Sequence, residues 1–358
     1  MSVAKKITLL MVMGAVSCHA RAPSTIAASS QLDHNQRAVA RFEKPLSHLE
    51  PVLFSGKPSD ELVEEIMKTS LRDDLFRIEG LLRLYRSAFE KEAGELLMTV
   101  KAFEDALGKY GESRDLIVTV QKVGAPQKFL SFVEQKEKLA RAVFVQFLQS
   151  EGWLKKDGGK IEFLRSRLAK MDWASKKKDR EYLVSEIESQ IKTIEKKTYD
   201  LSDLENGIHE LRRDLRWLPI YSLSLDGALV LGKGKCPLEQ FEPLVHSPLA
   251  ESKFNILPAN DEEKHTCEIS QCLFLGMSSY IEKFGAIKNF GQAEEFLAAA
   301  LLESGMAKTM TEAKQMAAGY GEKIPNQVEV HEAARVVYDD LKRSGIFPEL
   351  RKELKSCQ

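Results

Sequence analysis

Residues 202–221 read SDLENGIHELRRDLRWLPIY, and within them Leu204, Ile208, Leu211, Leu215 and Leu218 recur at steps of four and three. On a helix that spacing puts all five side chains on one face, so the stretch is stable only with that face buried against other elements. His209, Arg212 and Arg216 form a second line at three- and four-residue spacing, roughly 100° round an ideal helix from the first. A column of basic groups therefore borders a core. Pro219 lacks an amide hydrogen and crowds the carbonyl one turn earlier, which predicts that the helix ends there. The basic column has two readings: arginines that lay their stems on the core and their heads in water, or arginines that grip an anion.

The same period recurs along most of the chain. Leu71, Leu75, Ile78, Leu82, Tyr85 and Phe89 keep it after a start signal at Ser70 and Asp73. A break near Gly94 leads to Leu96, Leu97, Val100, Phe103 and Leu107, with Gly108 and Gly111 as the expected stop. Pro126 can open the next helix, whose apolar face runs from Phe129 to Leu148. Short connections between such helices imply an antiparallel bundle. Gly158 and Gly159 divide this half from a second, which holds helices over 161–171 and 176–197 and then the His209 helix. Residues 221–225 and 228–231 flank Asp226 and Gly227 and read as a small β-hairpin. Residues 232–263 contain Pro237, Pro243, Pro248 and Pro258 and read as a long loop. Helical text resumes near Glu268, continues through a turn at Phe284 to Leu302, and returns over 310–318, 328–344 and 348–354. Before all this, residues 37–58 carry Pro45, Pro51, Gly56 and Pro58 and read as an extended wrap.

Charge and motif content narrow the function classes. Lysine and arginine total 52 against 53 acidic residues, a balance unlike that of a general nucleic-acid binder. Neither G-x-S-x-G nor H-E-x-x-H occurs, and no cysteine has a matched histidine, so no catalytic residue is assigned and the chain reads as a non-enzyme. Gly232, Gly234 and Lys235 lack the spacing and the hydroxyl residue of a phosphate-binding loop. No cofactor or metal is expected, because only His265 lies near Cys267 and no C-x-x-C occurs.

The amino terminus reads as an export signal. Lys5 and Lys6 precede an apolar run over 7–16, too short to span a bilayer and suited to a signal peptide. It closes on Ala15, Val16, Ser17 and Cys18. That ending is similar to a bacterial lipobox with alanine where leucine is usual, and makes Cys18 the lipidation candidate; cleavage near Ala20 or Ala22 is the alternative. Cys236, Cys267, Cys272 and Cys357 remain, an even number that suits one or two disulfides in an oxidising compartment, with three pairings open.

His209, Leu211, Arg212, Leu215, Arg216 and Leu218 together resemble the signature helix of the CHAD family, the conserved-histidine α-helical domains. Residues 103–117 (FEDALGKYGESRDLI) and 280–293 (YIEKFGAIKNFGQA) are similar to a second family element in the two halves. In the first half Asp74 stands where the family has its first histidine, Arg77 stays in register, and Arg83 and Arg86 are shifted. The resemblance implies an all-α fold of two antiparallel helical bundles in a pseudo-repeat, with a hairpin and loop inserted in the second half. It also implies binding of polyphosphate or another phosphate-rich polymer through His209, Arg212, Arg216 and Arg77. The expected layout is a signal peptide over 1–18, a tether and wrap over 19–58, bundles over 59–157 and 158–305 with an insertion at 221–263, and closing helices over 306–358. The expected protein is a non-catalytic one of the periplasm or outer membrane, held by a lipid anchor. An envelope protein that binds a partner protein and no anion is the alternative.

Overall fold

Helices form nearly everywhere the apolar period is helical. The computed structural model describes residues 37–174, 176–259, 266–319 and 327–357; the stretch expected to be a signal peptide, Cys18, the expected 19–36 tether and His265 lie outside the described residues. The elements are α1 (Arg37–Leu53), α2 (Ser59–Lys68), α3 (Leu71–Leu84), α4 (Glu90–Val123), α5 (Gln127–Ser150), α6 (Lys160–Leu168) and α7 (Lys176–Lys196). A π-helical turn (Leu204–His209) runs into α8 (Glu210–Ser224), followed by β1 (Leu229–Gly232), β2 (Cys267–Ser270), α9 (Gln271–Glu303), α10 (Met310–Ala318), α11 (Gln327–Arg343) and α12 (Ile346–Lys355). The all-α class is as expected. One buried core runs from Ala38 to Leu354, and a smaller one joins the α4–α5 tip to the end of α9 and α10. Both cores cross the expected boundary at 157/158.

Four local expectations fail, each because packing outweighs a local breaker. Residues 37–53 are helix and not an extended wrap: Pro45 and Pro51 sit inside α1, whose Phe42, Leu46, Leu49 and Leu53 are buried. Helix α4 begins before Gly94 and passes through Gly108 and Gly111, because Leu107, Tyr110, Leu116 and Val120 keep its inner face in register. A glycine there costs about 1 kcal/mol relative to alanine, less than those side chains gain on burial. Pro219 does not end α8, and the Ser222 and Ser224 hydroxyls donate back to the carbonyls of Leu218 and Ile220. Helix α9 continues unbroken through Phe284 without a turn.

The hairpin is also replaced. Residues 221–224 finish α8, and Asp226 (φ 48°) and Gly227 (φ 92°) turn the chain from helix into β1. β1 then pairs in parallel with β2, Leu229 opposite Cys267 and Leu231 opposite Ile269. Parallel strands need a crossover, and the proline-rich insertion supplies it. Two disulfides fasten that region: Cys236–Cys272 ties the crossover to the first turn of α9, and Cys267–Cys357 ties β2 to the chain after α12.

A buried ion pair joins distant parts of the fold. Arg41 on α1 donates to Asp179 on α7, and the two side chains are 1% and 2% exposed. The Tyr85 hydroxyl donates to the same carboxylate at 2.6 Å, and Arg41 Nε donates to the Leu225 carbonyl at 3.2 Å. Removing the carboxylate takes from Arg41 and Tyr85 the buried partner they share. Asp179→Ala should therefore cost about 3–5 kcal/mol in urea unfolding, and a loss below about 1 kcal/mol would show that water reaches the pair.

Candidate functional site

Helix α8 is pressed between α3 and α9, and two glycines set how close the three helices come. A Cβ on Gly80 of α3 would lie 3.1 Å from Ile220 Cγ2, and one on Gly285 of α9 would lie 2.9 Å from Arg212 Nε. The missing side chain at Gly285 leaves the space through which the Arg212 stem passes. Beside this contact the helices part into a cleft of about 870 Å³, walled on its fourth side by residues 249–255 of the insertion.

Arg77, Arg212 and Arg216 all line this cleft, together with Arg72, His48 and Lys253. His209 is not among them. Its ring lies 2.9 Å from the Glu205 carboxylate on the preceding π-turn, so the spacing that put it beside the arginines does not survive the wider turn. Arg72 was not singled out from the sequence. The signal for it is a recurrence: Leu71-Arg72-Asp73-Asp74-Leu75 opens α3 and Leu211-Arg212-Arg213-Asp214-Leu215 opens α8. Nothing in the irregular text of the insertion pointed to Lys253.

The charges are unevenly matched. Lys253 Nζ lies 2.6 Å from Asp73, Arg72 3.0 Å from Glu104, and Asp74 is shared by His48 at 3.3 Å and Arg77 at 4.0 Å. Arg212 and Arg216 make no hydrogen bond or ion pair among the described residues, and the Nε of each is shut off from solvent. The Arg216 guanidinium lies over the Phe76 ring, 4.4 Å from its centre. Burial, and then the like charges of Arg212 and Arg72, push the Arg216 guanidinium down to about 10, while the more weakly felt Glu104 and Glu79 pull the other way. Arg212 is shifted the same way, by burial first and then by Arg72. An unpaired, poorly hydrated cation is costly, and an anion placed between the two would relieve both the lost hydration and their mutual repulsion.

No family model, curated protein or solved structure matches this chain. Among the described residues the four predicted cysteines are all in disulfides. One cluster with metal-ligand chemistry occurs among the described residues, Cys236 and Cys272 with Glu242, and the disulfide occupies both sulfurs. No helix there is long and apolar enough to cross a membrane.

Lys288, next to the cleft on α9, reports the local field. Burial, then the charge of Arg212, push its amine down to about 8, while Glu205 and Glu112 pull the other way and Arg216 adds a smaller repulsion. In the unfolded chain a lysine titrates near roughly 10.4. Between these values the unfolded state holds more protons, so this residue's contribution to stability rises with pH. Wild type should gain stability relative to Lys288→Met between pH 7.5 and 9.5 in paired denaturant titrations; parallel curves would mean that the amine is hydrated like a surface lysine.

Proposed function

We propose that this is an exported, non-catalytic protein of the cell envelope that binds a phosphate-bearing anion in the cleft between α3, α8 and α9. The observation that carries the reading is the pair Arg212 and Arg216, two cations that face the cleft without forming an ion pair among the described residues. Guanidinium forks grip phosphate oxygens through two parallel hydrogen bonds. Arg72 and Arg77 stand within the same cleft but are already engaged by Glu104 and Asp74. The resemblance to the CHAD family favours polyphosphate or another phosphate-rich polymer, and the recurrence of Leu-Arg-x-Asp-Leu at the starts of α3 and α8 is the part of a pseudo-repeat that supports it. Two disulfides fit an oxidising compartment, and Cys18 is the residue a lipid anchor would use.

A second reading, an envelope protein that engages a partner protein, draws on the insertion, where Phe254 and Ile256 are 48% and 59% exposed. The two separate cleanly in a binding assay. Arg212→Ala with Arg216→Ala should abolish binding of inorganic polyphosphate while leaving the circular dichroism spectrum unchanged. Wild-type affinity should fall steeply with salt, as binding that releases counterions does. Unchanged affinity in the double variant would leave the protein-partner reading standing.

A further inference from the structure

The cleft has a second character that a bare phosphate polymer would not use. Around the cations its walls are carbon: Phe76, Ile220, Leu223, Leu249, Phe254 and Ile281 all line it. Phe254 is nearly half exposed although the chain has a large core in which to bury such a ring. The insertion that presents it is held firmly. The Ser278 hydroxyl on α9 donates to Asn255 Oδ1 at 2.5 Å, Asn255 Nδ2 donates to the Leu249 carbonyl at 2.8 Å, and Lys253 reaches across to Asp73. Asn255 is 3% exposed. Phe254 is thus kept at the cleft wall by its neighbours on both sides.

We propose that the ligand is a single amphiphilic phosphomonoester, with its head between Arg212 and Arg216 and an apolar chain lying along Ile220, Leu223, Leu249, Phe254 and Ile281. This rests on the anion reading above and narrows it. The head carries a charge near −2, which matches the two unpaired cations; a carboxylate would neutralise one. The chain accounts for the carbon walls, since removing apolar surface from water is the term that a fully ionic ligand forgoes. About 870 Å³ falls within the range of roughly 300–1,000 Å³ typical of sites that enclose one small molecule, and the concave shape favours a monomer taken out of a membrane over a headgroup read at its surface.

Calorimetric titration of the full-length protein with dodecyl phosphate, kept below the concentration at which it forms micelles, tests this directly. Inorganic phosphate, inorganic polyphosphate and vesicles containing phosphatidic acid are the comparison arms. Dodecyl phosphate should bind one to one and at least tenfold more tightly than inorganic phosphate. Phe254→Ser, at an exposed position, should weaken dodecyl phosphate by about tenfold and leave inorganic phosphate unchanged, whereas Arg216→Gln should weaken both. Equal affinity for dodecyl phosphate and inorganic phosphate, or a preference for polyphosphate indifferent to Phe254, would overturn the amphiphile and leave the anion reading intact. Dodecyl phosphate binding that persists in Arg216→Gln and in Arg212→Gln would overturn both, and so would the absence of binding in every arm. Binding only to vesicles would replace an enclosed lipid by a membrane surface and overturn the proposal.

Discussion

Two guanidinium groups on one helix face are largely buried at a cleft wall with no ion pair of their own among the described residues, and much of the surrounding architecture is what keeps them there. Helix α8 cannot turn its basic line to solvent, because its apolar line, Leu211, Leu215 and Leu218, is buried and fixes its rotation. Gly80 and Gly285 let α3 and α9 approach from either side, Gly80 against Ile220 and Gly285 against Arg212. Each cation carries a desolvation cost that no hydrogen bond or ion pair among the described residues offsets. The aromatic face of Phe76 recovers a part, since a guanidinium over a ring gains about 0.5–2 kcal/mol, but it supplies no charge.

Tolerating such a site requires stability from elsewhere. The Arg41, Asp179 and Tyr85 knot fastens α1 and α7 to the turn after α8. The disulfides fasten the other end of the same region, joining cysteines 36 and 90 positions apart in the sequence. Closing loops of this size is worth about 3–5 kcal/mol each in the chain-entropy view. Cys236–Cys272 has a further consequence, because it anchors the insertion whose residues 249–255 form the fourth wall of the cleft. The insertion therefore belongs to the cleft, and the Cys236–Cys272 disulfide is part of what holds the cleft together.

The sequence showed the helices better than it showed where they stop. Periodicity located α5, α7, α10, α11 and α12 to within a few residues, because a buried stripe is visible without knowing what buries it. Pro45, Pro51, Gly108, Gly111 and Pro219 misled, because each is a local cost that only tertiary contacts can outweigh. The β-hairpin misled for a related reason: Asp226 and Gly227 do make a turn, but the partner of β1 lies 38 residues further on, at Cys267 opposite Leu229. At the site, spacing alone brought Arg212 and Arg216 to one place, and Arg77 joined them. His209 did not, because the π-turn changes the rotation just where the line begins. The carbon walls were illegible, since they are assembled from α3, α8, α9 and a loop without period.

If Arg212 and Arg216 are kept for a ligand and not for the fold, the ligand-free protein should be no worse without one of them. The direct measurement is the urea unfolding midpoint of ligand-free Arg216→Met, a change that keeps an apolar stem against Phe76 and removes the buried charge. The account predicts a midpoint equal to or above that of wild type, as when a buried charge gives way to a packed hydrophobic side chain. A loss of more than about 2 kcal/mol would contradict it, since Arg216 would then be a structural strut with a partner among the protein's own groups.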